Sequence, residues 1–262
     1  MITGMKLVDL VMHGCIAILF ISTAYVAFRV GRSAWYRSIF ALRRVISDPH
    51  CQPFGRAYAR IPTTERVVAL TFDDGPLEPY TSELLTLLSS LGVPATFFVV
   101  GENVRKFPRA ITQMLASGHQ LGNHSYSHRA MIGIPLRVIR DEIESTDSAL
   151  RELGVTGAID FRAPFGKKLI RLPWTLFRLN KRHILFDFFP RPRDWSGAPV
   201  EDVARSIVEQ TRPGSIIVLH DGNRHAAPFV CAYTSAVVSA LREQGYKFVR
   251  VDELIAQTES AG

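Results

Sequence analysis

The sequence predicts an α/β fold in which helices cover a parallel sheet, either open or closed into a barrel. From about residue 65 of the 262-residue chain, short apolar runs alternate with amphipathic stretches. The apolar runs are continuous, as in strands that are buried on both faces. The composition, 47% hydrophobic and 21% charged, is typical of a globular protein with one sizeable core.

Seven apolar runs are predicted strands, and five amphipathic stretches are predicted helices. Several of the amphipathic stretches open with Pro near the first turn and close with Gly, which are helix start and stop signals. The predicted strands read VVALTF, ATFFVVG, HQLGNH, AIDFRAP, HILFDF, SIIVLHD and KFVRVD. The predicted helices read PYTSELLTLLSSLG, PRAITQMLASG, PLRVIRDEIESTDSALRELG, PVEDVARSIVEQTR and FVCAYTSAVVSALREQG.

Polar residues with catalytic potential follow five of the predicted strands, at the point where each strand ends. Active sites of parallel α/β barrels gather at the carboxyl ends of the strands, so we expect these side chains to share one face of the domain. In chain order they are Asp73, Asp74, His124, His128, Arg162, Asp194, Trp195 and His220.

A transmembrane helix is predicted within residues 1–32. Residues 10–28 read LVMHGCIAILFISTAYVAF, about the length that crosses a hydrocarbon core, and Trp35 and Tyr36 follow as interfacial residues. A cleaved signal peptide is the competing interpretation. Its apolar region is usually shorter and is preceded by more positive charge than Lys6 supplies. We therefore expect an uncleaved single-pass anchor and a membrane-bound protein.

The flanking charges predict that the domain after the anchor lies in the cytoplasm. The N-terminal flank carries Lys6, offset by Asp9, whereas five arginines follow the apolar segment. Arginine beside a membrane helix is normally in excess on the cytoplasmic side, where it also meets anionic lipid head groups. We predict a basic juxtamembrane connector over residues 33–64 and a globular domain over residues 65–258. The five arginines are Arg29, Arg32, Arg37, Arg43 and Arg44.

The overall charge favours anionic partners but does not indicate nucleic acid. A formal net charge of +7 suits acidic membrane surfaces, nucleic acid and acidic or phosphorylated glycans alike. The sequence carries no RNA- or DNA-binding motif, so we expect no nucleic-acid partner. None of the three cysteines has the spacing of a metal site. A Cys51–Cys231 disulfide and two plain thiols both stay open.

A metal site is predicted from the segment HSYSH together with Asp73 and Asp74, two aspartates that are neighbours in the chain. The two histidines, four residues apart, either share one face of a helix or lie together in a strand-end loop. Two histidines and one carboxylate, with an open position, are a ligand set for catalytic zinc or another divalent metal. The positive ion also removes the penalty for holding two carboxylates side by side.

The remaining strand-end residues supply acid–base chemistry. One aspartate of the pair is a metal ligand, and the other takes a proton from the water that the metal acidifies. His220 is placed to act as the acid on the leaving-group side, with Asp194 orienting its ring. Arg162 pairs with the base and keeps it ionised. This set predicts metal-assisted hydrolysis of an acyl bond.

Five motifs in chain order, TFDDGP, HSYSH, RAPFG, RDWSG and IIVLHDG, resemble those of the polysaccharide deacetylase, or NodB-homology, family (carbohydrate esterase family 4). The resemblance covers roughly residues 65–255, and GVPATFFVVG and RPGSIIVLHDG look particularly like the chito-oligosaccharide deacetylase branch. It implies a distorted (β/α)7-type barrel that removes N-acetyl groups from an amino sugar in a glycan or glycan precursor. The implied cofactor is a divalent metal, most commonly zinc, with cobalt, nickel or manganese as substitutes.

The resemblance also implies a role for each motif residue. Asp73 would be the catalytic base, positioned by Arg162. The metal ligands would be Asp74, His124 and His128.

On the leaving-group side, the resemblance makes His220 the general acid, tuned by Asp194. Trp195 would wall the acetyl pocket. The backbone N–H of Phe165, where the family commonly has Tyr, would stabilise the oxyanion, a role that does not depend on the side chain.

The fourth motif departs from the family pattern in charge. The family often has a further Asp three residues before the Asp-Trp pair, and here that position is Arg191. We therefore predict a basic rim around the site. Such a rim predicts an anionic substrate, such as a lipid-linked sugar phosphate or an acidic glycan. A solvated charged surface is the alternative. The rim residues are Lys167, Lys168, Arg171, Arg191 and Arg193.

Two other functions fit the same sequence. A deformylase or O-acetyl esterase of another sugar uses the same chemistry, and no sequence feature separates it from an N-deacetylase. An inactive glycan-binding membrane scaffold is expected to have lost at least one catalytic or metal-binding residue, and none is replaced. The side of the membrane also stays open, because many anchored members of the family face the cell wall or periplasm.

Overall fold

Seven strands and eight helices make up the part of the chain that the computed structural model describes, which is residue 52 and residues 54–259. The strands are β1 (Ala57–Tyr58), β2 (Val67–Asp73), β3 (Thr96–Val99), β4 (Gln120–Asn123), β5 (His183–Ile184), β6 (Ile216–His220) and β7 (Lys247–Val249). The helices are α1 (Tyr80–Leu91), α2 (Gly101–Lys106), α3 (Pro108–Ala116), α4 (Leu136–Glu152), α5 (Arg171–Arg178), α6 (Val200–Gln210), α7 (Val230–Glu243) and α8 (Val251–Glu259).

The named strands all pair in parallel, and their hydrogen-bonded path runs around a ring. β2 pairs with β3, β6 and β7, while β3 pairs with β4 and β1 pairs with β5. Single-residue bridges continue the path, because Phe161 bridges both Asn123 of β4 and His183 of β5. Arg60, just after β1, bridges Ser215, just before β6. The parallel α/β fold is as predicted, and the ring is consistent with a distorted barrel.

Alternate residues of β2 lie in two different hydrophobic clusters. Leu70 and Phe72 belong to a cluster that packs against the surrounding helices. Ala69 belongs to a second cluster on the opposite face, where residues of α8 also pack. Because strand side chains alternate, Asp73 points to the same side as Ala69, toward the inside of the ring. The whole strand is buried because both of its faces are covered.

All five predicted helices are present, with ends close to the Pro and Gly signals. In α1, the chain reverses at Gly92, whose φ of 59° lies in the left-handed region. Its N–H donates to the carbonyls of Leu88 and Ser89, which would otherwise be unpaired at the helix end. Glycine adopts this conformation without the steric cost of a Cβ.

The fourth predicted strand, AIDFRAP, is reduced to one bridging residue, which lies between β4 and β5. Only Phe161 forms bridges there, because the chain turns at Gly157, with a φ of 74°, and Pro164 cannot donate a ladder hydrogen bond. Four elements, β1, α2, α5 and α8, were not predicted from the sequence. Since β1 is paired and Ile61 is buried, the folded domain begins before the predicted boundary at residue 65.

Several predictions concern residues that the structure does not describe. The anchor at residues 1–32, most of the connector and Cys51 lie outside the described residues. Within the described part, no helix has both the length and the apolar character needed to cross a membrane. Cys231 on α7 forms no disulfide with another described residue.

Candidate active site

Asp73 ends β2, and strand register places it beside His220. Parallel pairing matches Asp73 with Phe98 of β3 on one side and with His220, the last residue of β6, on the other. Asp73 is only 3% exposed. A buried carboxylate needs a charge partner or several hydrogen bonds, because removing it from water is costly.

Arg162 supplies the charge partner of Asp73. Its fully buried guanidinium donates from Nη1 to Asp73 Oδ1 at 2.7 Å and to Thr71 Oγ1 at 2.7 Å. Nε and Nη2 donate to the backbone carbonyls of Ile184 and Leu185 at 3.3 and 3.0 Å. The hydrogen bonds fix the plane of the guanidinium, so Arg162 both compensates the charge of Asp73 and orients its carboxylate.

Asp74, His124 and His128 converge on one point. The Nε2 atoms of His128 and His124 lie 3.0 and 3.3 Å from Asp74 Oδ1. One ligand atom from each residue lies within 4.8 Å of the others. Burial opposes ionisation of the Asp74 carboxyl, but hydrogen bonds from the two histidines outweigh it and hold its pKa well below its ordinary value. An ionised carboxylate and two imidazoles fit a divalent metal ion.

The ring of His124 is oriented by a backbone carbonyl. Its Nδ1 lies 2.9 Å from the carbonyl oxygen of Arg162, which accepts the hydrogen bond from Nδ1–H and leaves Nε2 facing Asp74. Metal-ligating histidines are commonly oriented in this way through their other nitrogen. Arg162 therefore supports the base through its side chain and a metal-ligand candidate through its backbone.

The HSYSH segment forms a loop, which decides between the two predicted arrangements. Ser125 and His128 have φ values of 67° and 53°, which are incompatible with a continuous right-handed helix. Glu142 of α4 holds the loop from beneath. Its carboxylate accepts the backbone N–H groups of Tyr126 and Ser127 at 2.9 and 2.8 Å, and the Ser127 hydroxyl at 2.7 Å.

His220 and Asp194 form a second charged pair. His220 Nδ1 lies 3.0 Å from Asp194 Oδ2, and the backbone N–H of His220 donates to the same oxygen at 2.9 Å. Burial lowers the pKa of His220, but the neighbouring Asp194 carboxylate, reinforced by Asp74 and Asp73, raises it to about 9. Trp195 packs edge-on against the imidazole, with ring centres 4.6 Å apart. The Asp194 carboxylate therefore favours the protonated form of the His220 ring.

These groups surround one cavity of about 470 Å³. Arg162 and Asp194 lie behind its wall, where they hold Asp73 and His220. The predicted site residues that line it are Asp73, Asp74, His124, His128, Phe165, Lys167, Arg193, Trp195 and His220.

Only part of the predicted basic rim reaches this cavity. Lys167 and Arg193 line it. Lys168 and Arg171 are buried in the domain instead. Arg191 is exposed outside the cavity lining, and its backbone N–H donates to Ser206 Oγ of α6 at 2.7 Å. Of the five predicted rim residues, two therefore line the cavity, two are buried, and Arg191 is exposed outside the lining.

Comparison with known proteins agrees with the five motifs. The profile of the polysaccharide deacetylase family matches residues 60–179. A Bacillus cereus protein named peptidoglycan-N-acetylglucosamine deacetylase is 31% identical over 204 residues, covering 78% of this chain and 95% of that protein.

This chain belongs to the polysaccharide deacetylase family.

Other relatives extend this assignment to structure and reaction class. A chitooligosaccharide deacetylase of Sinorhizobium fredii is 33% identical over 168 residues, covering 64% of this chain and 77% of that protein. The crystal structure of a peptidoglycan N-acetylglucosamine deacetylase superposes with a TM-score of 0.70 at 28% identity, covering 75% of this chain and 91% of that chain. This polysaccharide deacetylase is a hydrolase of carbon–nitrogen bonds other than peptide bonds.

Phe165 of this deacetylase adopts a strained backbone at the cavity. Its φ of 60° is left-handed, which is uncommon for an aromatic residue and typical of functional sites. Its side chain is 57% exposed and contacts the His128 ring, with centres 4.8 Å apart. This conformation brings the backbone of the third motif to the cavity.

Asp221, which was not predicted as a site residue, lies under the Asp73–Asp74 turn. Asp221 is fully buried; its Oδ2 accepts the Thr81 hydroxyl at 2.6 Å, and its N–H donates to the Asp73 carbonyl at 3.2 Å. Burial raises its pKa to about 7. A Cβ on Gly75 would lie 2.3 Å from Asp221 Oδ2, so the glycine of TFDDGP is needed for close approach.

Three further cavity residues of the deacetylase were also missed. Phe186, Phe189 and Asn223 line the cavity with the predicted set. Phe189 and Asn223 follow the ends of predicted strands, in HILFDFF and in IIVLHDGN, whereas Phe186 lies within the predicted strand HILFDF. The strand-end rule that selected His220 would have selected Phe189 and Asn223 too, had it been applied to aromatic and amide side chains.

Proposed function

We propose that this enzyme removes N-acetyl groups from an amino sugar of a glycan or glycan precursor, using a divalent metal ion held by Asp74, His124 and His128. The observation that carries the proposal is the convergence of these three side chains beside Asp73 and His220 in one cavity. Two imidazoles and a carboxylate suit zinc best, with cobalt, nickel or manganese as substitutes. The names of the relatives, which refer to peptidoglycan and chito-oligosaccharides, support an N-acetylated sugar as substrate.

On the attacking side, Asp73 is the general base. A bound divalent ion supplies Lewis-acid polarisation of the acetyl carbonyl and acidification of water. Arg162 occupies Asp73 Oδ1 at 2.7 Å, while Oδ2 lies on the side of His124, 4.0 Å from its Nε2. Asp73 accepts a proton from water through its unoccupied oxygen as the water oxygen bonds to the acetyl carbon.

On the leaving side, His220 is the general acid. Asp194 holds Nδ1, so Nε2 carries the proton that is given to the sugar nitrogen as the C–N bond breaks. The backbone N–H of Phe165 donates to the oxyanion, and Trp195 walls the acetyl pocket. The products are acetate and a free amino sugar.

Acetate release from N-acetylglucosamine oligomers tests this proposal. We expect the full-length enzyme to release acetate with zinc, to stop after chelation, and to regain activity when zinc returns. Asp73→Asn should lower kcat by about 10²- to 10⁴-fold, while Asp202→Asn, an exposed aspartate of α6, should leave it unchanged. Activity that survives chelation or the loss of Asp73 would contradict the proposal.

Two comparisons separate the alternative functions. A deformylase would release formate from N-formyl sugars faster than acetate, and an O-acetyl esterase would prefer acetylated xylan-type substrates. An inactive scaffold would bind zinc and glycan but turn over none of these substrates.

We also propose that the enzyme works at a membrane surface, anchored through residues 1–32. The support is the apolar run at residues 10–28 and the five arginines that follow it. We expect the protein to sediment with membranes and to be released by detergent but not by salt. A reporter fused after Gly262 should be active inside the cell. Recovery in the soluble fraction would contradict the anchor, and activity only outside the cell would reverse the orientation.

A further inference from the structure

We infer that Lys167 and Arg193 bind an anionic group of the substrate, a phosphate or a carboxylate, next to the acetylated sugar. The inference rests on the proposed function and names the substrate class of the same cavity. It selects two of the five cations of the predicted basic rim.

The charges inside the cavity are compensated, except for these two. The Asp73 carboxylate is paired with Arg162 and the His220 imidazole with Asp194, while the Asp74 carboxylate and its two histidines are the donors that would hold the proposed metal cation. In the described part of the chain, no carboxylate lies within 4.0 Å of the Lys167 ammonium or the Arg193 guanidinium. Two uncompensated positive charges therefore remain at the mouth of the cavity, where a substrate must enter.

Aromatic rings hold the two cations in place. The Arg193 guanidinium lies 4.9 Å from the ring centre of Phe189 and 5.0 Å from that of Trp195. The Lys167 ammonium lies 5.9 Å from the ring centre of Phe165. Cation–π contacts restrain a side chain without neutralising its charge. Each cation is thus restrained on the cavity wall but keeps its full charge for a ligand.

An adjoining cavity of about 200 Å³ extends the site past Lys167. It shares Phe165, Lys167 and the Phe186–Phe189 pair with the catalytic cavity. This cavity also contains the Asp187 carboxylate, which could repel an anion. Its charge is paired with Arg212, and it accepts hydrogen bonds from Arg212 and Ser215 at 2.7 to 3.1 Å. The adjoining cavity has aromatic walls and a cation at its entrance. This suits the part of the substrate beyond the anionic group, such as a second sugar or an apolar chain.

Arg191 provides a matched control. It lies two residues before Arg193 and is also exposed, but it does not line either cavity. Its substitution changes the net charge by the same amount without touching the inferred site.

The test measures acetate release by the full-length enzyme from three substrates. They are neutral tetra-N-acetylchitotetraose (chitotetraose below), the disaccharide of N-acetylglucosamine and N-acetylmuramic acid, and N-acetylglucosamine linked through phosphate to a short prenol. We expect kcat/KM to be higher for at least one anionic substrate than for chitotetraose. The better anionic substrate shows whether a carboxylate or a phosphate is recognised.

The variants Lys167→Gln and Arg193→Gln should each lower the ratio of anionic to neutral kcat/KM about fivefold, mainly through KM, because a rim charge contributes up to about 1 kcal/mol. The double variant should lower it roughly 25-fold if the two charges act independently. Arg191→Gln should leave the ratio unchanged.

A wild-type preference for chitotetraose, or equal losses on neutral and anionic substrates, would overturn this inference while leaving the deacetylase proposal intact. An equal effect of Arg191→Gln would also overturn it, since only net charge would then matter. Acetate release from none of the three substrates would overturn the proposed function and this inference together.

Discussion

Replacing Asp194 by Asn should lower the pKa of His220 and move the alkaline limb of the pH–activity profile to lower pH. Burial disfavours the His220 cation, but the Asp194 carboxylate at 3.0 Å outweighs it and holds the pKa at about 9 rather than 6.5. This difference corresponds to about 3 kcal/mol in favour of the cation. Asparagine keeps the shape and an acceptor for the His220 N–H but removes the charge.

The assay is kcat/KM against pH for the metal-loaded wild type and the variant. The general acid must be protonated, so activity falls as pH rises through the pKa of His220. A bound metal ion opposes the Asp73 and Asp74 charges in both proteins, so the prediction concerns the difference between them. We expect the alkaline limb of Asp194→Asn to lie about two pH units lower. Asp202→Asn, at an exposed site, should not move it.

The same pair predicts how the stability of the metal-free protein depends on pH. The pKa of His220 is raised on folding, so its stabilising contribution is fully present below pH 6.5 and is lost as pH rises toward 9. Urea unfolding at pH 6 and pH 9.5 should therefore show a larger loss of stability for the wild type than for Asp194→Asn.

An alkaline limb at the same pH in both proteins would refute this reasoning. It would show that the charge of Asp194 does not set the protonation of the catalytic acid. A uniform loss of activity at every pH, with the limb in place, would assign Asp194 to orientation alone.

Three further predictions concern the buried pair, the metal donors and the loop that carries them. Arg162→Met leaves Asp73 buried without a cation and should lower the free energy of unfolding by about 3–5 kcal/mol. Arg205→Met, at an exposed arginine, should change it by less than about 0.5 kcal/mol; equal losses in urea unfolding would contradict the argument. His128→Ala should lower zinc content per chain, measured by mass spectrometry, and undiminished zinc would place the ion elsewhere. Glu142→Ala removes the acceptor of two N–H groups of the HSYSH loop and should weaken zinc binding at least tenfold, with an unchanged circular dichroism spectrum. An unchanged zinc affinity would show that the loop keeps its conformation without Glu142.

Local chemistry was enough to predict most of the strands, five of the helices and the edge of the sheet where the chemistry lies. The helix predicted to close near Gly92 does so because a left-handed residue is needed there, and glycine adopts that conformation most easily. The strand-end rule predicted that Asp73 and His220 lie near each other, and the register of β2 and β6 pairs them directly. The rule works because parallel strands end at a common edge, whatever separates them in the chain.

Short elements were not predictable, because their stability comes from contacts far along the chain. The two residues of β1 carry no periodic pattern and are held by His183 and Ile184, more than 120 positions away. AIDFRAP has the composition of a strand, but the turn at Gly157 and the proline at 164 leave room for a single bridging residue.

The sequence by itself determined the α/β class, the five amphipathic helices and the set of residues with catalytic chemistry, because these depend on residue type and on near neighbours. Only the tertiary structure decided which cations face the substrate. Arg191 and Arg193 are two positions apart and chemically identical, yet Arg193 lies against Phe189 and Trp195 at the cavity. The backbone of Arg191 is tied to α6. Whether a side chain reaches a cavity depends on how distant segments pack around it, and that packing cannot be predicted from the residue type alone.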